Sequence, residues 1–166
     1  MYLIKYVYLF LFVLCAVYDI ITLKIPNFLV VSIILLFFVA VIVWDGEIQV
    51  WIHIAVAVVM LCIGAALFYF DLVGGGDAKL VTAAVLWAGT DFIGRYFLIF
   101  GIAGLIISLL FLSLRPGMEY FALRAQIALK GAKYVPKSLI TGTHIPFGVP
   151  IAIASVWLSF QLPFFR

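Results

Sequence analysis

Residues 50–80 read VWIHIAVAVVMLCIGAALFYFDLVGGGDAKL. From Val50 to Phe70 the run is apolar apart from His53. A bilayer crossing takes about 20 such residues as helix. The run then meets three consecutive glycines, Gly74 to Gly76, and the carboxylate of Asp77. A membrane span thus hands over directly to a glycine turn that carries an acid.

The whole chain shares the character of that span. It has 166 residues, 68% of them hydrophobic, with ten Lys and Arg and seven Asp and Glu. An ordinary soluble domain is roughly half apolar and a quarter charged. A soluble fold of this length cannot bury so much apolar surface, because its outside must face water. Composition therefore excludes a soluble enzyme, a disordered protein and a nucleic-acid-binding domain. Cys15 and Cys62 sit in apolar runs with no ligand-spaced partner and read as small buried hydrophobes, so neither a metal site nor a disulfide scaffold is expected. The N-terminal run lacks a small-residue cleavage site and reads as a retained span.

Span-length apolar stretches predict six transmembrane helices in a single all-α domain over residues 1–166. They fall at about Tyr2–Leu23, Phe28–Trp44, Val50–Phe70, Ala78–Ala88, Phe92–Leu114 and Phe147–Phe160, the fourth and sixth being short. Ile25-Pro26-Asn27 separates the first two, since proline removes a donor and turns its predecessor away from helix. Lys24, Lys79, Arg115, Arg124, Lys130, Lys133 and Lys137 fall in the connections after spans one, three and five. The opposite side holds Lys5, Arg95 and Arg166. That bias predicts a multi-pass protein of the inner membrane with those connections in the cytoplasm and both termini outside. In the connection 115–146, Met118, Phe121, Ala122, Ala125 and Leu129 recur at helical spacing among bases. They predict an amphipathic helix on an anionic inner leaflet.

Acids near spans call for a reason, because an Asp at membrane depth costs about 2.5–3.5 kcal/mol. Asp19 lies inside the cytoplasmic end of the first span and Asp77 at the start of the fourth, on the same predicted face. The glycines lack Cβ atoms, so their backbone can take positive φ or approach another chain closely. Non-helical backbone at this depth is expected to line a groove. Two carboxylates held close share one proton, so one can take a proton from water while the other donates to a leaving amine. No metal, cofactor or covalent nucleophile is required. Lys79 either favours an ionised carboxylate or snorkels at the interface. Asp71 competes weakly for a catalytic role. Glu119 reads as a solvated charge, and His53 and His144 read as structural or interfacial.

Gly74-Gly75-Gly76-Asp77, followed by Ala78-Lys79-Leu80, resembles the Gly-x-Gly-Asp signature of the type IV prepilin peptidases. Asp19 followed by Ile25-Pro26-Asn27 is similar to their first-aspartate motif. Pro146-Phe147-Gly148 looks like the entry to their last span. The resemblance implies an aspartic intramembrane endopeptidase that cuts the basic leader of a pilin-like precursor at the cytoplasmic face. Asp19 and Asp77 would be catalytic, with Gly74, Gly75, Gly76, Lys79, Pro26 and Asn27 supporting the groove. Without an N-terminal Cys-x-x-Cys domain, the chain resembles the short, peptidase-only form tied to Flp-type (tight-adherence) pili or archaeal preflagellin processing. Having only Lys24 as a base after Asp19 departs from relatives that carry several there. Tyr18-Asp19 with Gly-x-Gly-Asp is also similar to the presenilin and signal-peptide-peptidase group, although those chains are longer. A rival of another class is a small proton-coupled transporter or channel component using the two acids as a relay. A structural assembly partner is a third. Pro146 and Gly148 are expected to shape the last span rather than meet substrate.

Overall fold

In hydrocarbon every backbone N–H and C=O needs a partner within the chain, so apolar runs of this length become helices. A computed structural model shows that outcome and describes residues 1–46, 48–128 and 146–165, with the main chain alone for 115–128. Helix α1 is Tyr2–Thr22, α2 is Asn27–Val43 and α3 is Val50–Tyr69. A long helical run, Gly75–Ala128, is broken at Gly89, where φ is 57° and ψ is −161°. We number its two parts α4 (75–88) and α5 (90–128). Helix α6 is Gly148–Ser159, and a 3₁₀ turn, Pro163–Phe165, follows it.

The molecule is all-helical among the described residues, but six crossings are more than helix length supports. Three stretches are long and apolar enough to span: Tyr2–Thr22, Val50–Tyr69 and Gly75–Leu114. Helices α2 and α6, with 17 and 12 residues, are apolar but shorter. The expected surface helix after Leu114 instead continues α5 without interruption as far as Ala128. Leu129, Lys130, Lys133, Lys137 and His144 of that predicted connection lie outside the described residues, as do Glu47 and Arg166.

Helix α4 is the axis of the bundle. Every residue from Leu80 to Gly89 is buried, and Ala83, Ala84 and Ala88 let neighbouring helices come close. A helix that is apolar all round belongs inside. On its neighbours large apolar side chains point outward instead, among them Phe10, Leu35, Val59 and Leu105. Such a surface suits lipid rather than water. Helix α3 packs on α4 through Gly64, where a Cβ would meet the Ala78 Cβ at 3.0 Å. Trp87 Nε1 of α4 donates to the Ile33 carbonyl of α2 at 3.2 Å. The buried hydroxyls of Thr82 and Ser155 are satisfied within their own helices: Thr82 donates to Ala78 O at 2.8 Å and Ser155 to Ile151 O at 2.8 Å.

The break at Gly89 needs glycine twice over. Its φ of 57° lies in the left-handed region, and a Cβ there would lie 2.5 Å from the His53 ring. His53 Nδ1 in turn is 2.8 Å from the Leu86 carbonyl, so this ring ties the start of α3 to the end of α4. Gly89→Ala is expected to lower the unfolding midpoint in detergent through about 1–3 kcal/mol of backbone strain. An unchanged midpoint would contradict this account of the break.

Candidate functional site

Five helix ends meet at the end of the bundle away from Gly89: the C-termini of α1 and α3 and the N-termini of α2, α4 and α6. Each terminus there is shaped by its local sequence. Helix α1 closes at Leu23, whose φ of 54° and ψ of 32° are left-handed, with its N–H on the Asp19 carbonyl at 2.9 Å. A leucine in this conformation is unusual, and such strain concentrates at functional sites. The Thr22 hydroxyl lies within hydrogen-bond reach of Tyr18 O (2.8 Å) and Lys24 O (3.0 Å), which helps hold the turn. Pro26, at φ −64°, then launches α2.

Helix α3 ends in a paired cap. Leu72 N–H bonds Leu67 O at 3.0 Å and Asp71 N–H bonds Phe68 O at 3.0 Å, with Asp71 at φ 56°. This is a Schellman arrangement with an aspartate where glycine is commoner. Asp71 is exposed and is absent from the residues lining the cavity described below, so its place in the structure is that cap.

The glycine segment departs from expectation. Gly75 and Gly76 form the first turn of α4 rather than an irregular loop, and Ala78 N–H bonds Gly74 O at 3.0 Å. None of Gly74, Gly75 or Gly76 has positive φ. Their use is close approach. A Cβ on Gly76 would lie 3.3 Å from Ile25 Cβ and 3.4 Å from Ile25 N, and one on Gly75 would lie 3.2 Å from the Phe68 ring. The glycines let the start of α4 lie directly on the Leu23–Pro26 turn.

That approach brings the two acids to one place. A cavity of about 290 Å³ is lined by Asp19, Leu23, Lys24, Ile25, Gly74, Gly75, Gly76 and Asp77. Asp19 is 5% exposed, although it is charged when ionised. Its Oδ2 accepts the Gly148 N–H at 2.7 Å. Asp77 is half-buried in the first turn of α4, where the helix dipole suits an acid, and a Cβ on Gly74 would lie 3.0 Å from its Oδ2. Pro26, Asn27 and Lys79 are not among the lining residues. Lys79 Nζ, on the exposed side of α4, donates to Asn27 Oδ1 at 3.0 Å. That bond joins the two aspartate-bearing segments from outside the cavity.

A second cavity, about 330 Å³, lies at the opposite end among Trp44, His53, Trp87, Asp91 and Phe164. It is slightly larger but holds a single carboxylate, whose Oδ1 accepts the Thr90 hydroxyl at 3.3 Å. The acid pair belongs to the smaller cavity, and chemistry needing two carboxylates belongs there.

Residues 6–113 match the family model described as the type IV leader peptidase family. The chain belongs to that family. No similar curated protein and no similar solved structure was found. As a member of a leader peptidase family, the chain is a peptidase at the family level, a hydrolase of peptide bonds. The matched stretch contains both acids, the Leu23–Pro26 turn and the glycine segment. Gly148 lies beyond it, and its bond to Asp19 was not foreseen from sequence. The only hint was a glycine just inside a helix after Pro146-Phe147, which gives no address for its partner.

Proposed function

We propose that this leader peptidase family member is an aspartic endopeptidase of the cell membrane that removes the basic leader of pilin-like precursors. Asp19 and Asp77 are its catalytic pair. The observation carrying this reading is the cavity that both carboxylates line together with Gly74, Gly75 and Gly76. One carboxylate takes a proton from a water, and the resulting hydroxide adds to the scissile carbonyl carbon. The other carboxyl donates its proton as the tetrahedral intermediate collapses and the amine leaves. Each turnover consumes one water and returns the pair to its starting charge. The Leu23–Pro26 turn offers non-helical backbone beside the acids, where an extended peptide can pair through its main chain.

The sided distribution of Lys and Arg supports a cytoplasmic site, with six crossings and both termini outside. Lys24 and Lys79 mark that same end of the bundle. A short form acting on Flp-type or preflagellin-type precursors fits the motifs. The purified chain in liposomes, given a precursor with a basic leader, a glycine and a long apolar segment, is expected to release the leader. Asp77-dependent proton flux without any peptide cleavage would instead establish the transporter reading.

A further inference from the structure

We propose that Gly148 is a positioning residue of this site, and that its main-chain N–H holds Asp19 so that Oδ1 is the oxygen left to act. This inference rests on the peptidase reading above.

Three observations converge on it. Gly148 N–H donates to Asp19 Oδ2 at 2.7 Å in a buried position. Gly148 is also the first residue of α6, a helix of 12 residues. First-turn amides have no partner inside their own helix and sit at the positive end of its dipole. The bond therefore satisfies a donor that α6 leaves over, and it places that donor on a carboxylate where such bonds are strongest. Finally, the fit admits no side chain. A Cβ on Gly148 would lie 2.9 Å from both Asp19 Cβ and Asp19 Oδ2, and 3.1 Å from Asp19 Cγ.

The arrangement answers a geometric need. Asp19 stands in the last turn of α1, where the unpaired carbonyls of the helix end disfavour an anion. Helix α6 packs against α1 and brings its own positive end to the same carboxyl. With Oδ2 held and Gly148 pressed against the side chain, the carboxyl has one orientation. Asp77 has no comparable backbone donor among the described residues. The site is thus completed by a helix outside the stretch that the family model matches.

The test uses the full chain in detergent or liposomes with a pilin-like precursor peptide. Gly148→Ala keeps the N–H but displaces Asp19, and it is expected to lower kcat by about 100-fold. KM should stay within about threefold, because substrate binding is not what changes. Gly104→Ala, whose Cβ meets Pro150 Cβ at an ordinary 3.9 Å, is expected to behave as the unsubstituted chain. A second readout needs no substitution at Gly148. With ¹³C-carbonyl Phe and ¹⁵N-Gly, the Phe100-Gly101 and Phe147-Gly148 amides are selected, and Gly101→Ala removes the first. The remaining resonance is expected to move markedly with Asp19→Asn and little with Asp77→Asn. Retained kcat in a folded Gly148→Ala protein, or a resonance indifferent to Asp19→Asn, overturns the inference. If Asp19→Asn and Asp77→Asn themselves remain fully active, it is the dyad reading that fails.

Discussion

Asp19→Asn and Asp77→Asn are each expected to lower precursor cleavage by about 10²- to 10⁴-fold, the range that a positioned acid or base contributes. Both substitutions keep side-chain volume. At position 19 the amide oxygen can still accept the Gly148 N–H that holds Oδ2 at 2.7 Å, so the helix contact survives. At position 77 the side chain is half-buried and rests beside Gly74, where an amide fits the same space. Insertion and thermal midpoint are therefore expected to change little while hydrolysis is lost. The check is cleavage by purified variants, beside their unfolding curves. Normal processing by either one would show that the pair is not the catalytic centre. The doubly substituted chain is expected to be no slower than the slower single variant, because two groups that act on one water fail together.

Gly76→Leu is the second large effect. The first turn of α4 rests on the Leu23–Pro26 turn with no room for a side chain, since even a Cβ would lie 3.3 Å from Ile25 Cβ. Ile25 is itself buried and cannot swing away. The added volume must push the two segments apart. Overpacking of this kind costs about 1–3 kcal/mol. A displacement of about 1 Å between the acids is enough for about a 100-fold loss of rate. Gly101→Ala is the contrasting case, because a Cβ there meets nothing within 4 Å. It lies within α5, where removing a glycine is expected to stabilise the helix by roughly 0.5–1 kcal/mol. Cleavage rate and midpoint measured together separate the two. Equal behaviour of the two variants would mean that the glycine segment is merely a turn.

Much of the site was legible in the chain because its signals are local. Asp19 and Asp77 stood out by the cost of charge beside apolar runs. The break around Pro26 does separate the first two helices, with Pro26 standing directly before α2. The glycines were legible as a site of close approach but not as a helix start. Positive φ and an open turn would have left the same letters in the sequence, and only the position of Ile25 distinguishes close packing from a loop. Asp71 was ambiguous for a similar reason. Its left-handed cap depends on where α3 ends, which no residue type announces.

By itself the sequence determined the medium, the helical class and the two acids, because hydrophobic length and misplaced charge are properties of single segments. Tertiary structure alone decided that one cavity unites Asp19 with Asp77, that Lys79 reaches Asn27, and that α6 brings Gly148 to Asp19. Those contacts join residues 58, 52 and 129 positions apart along the chain. Their partners are selected by how the helices pack around α4, and periodicity within one helix carries no record of which neighbour it will meet.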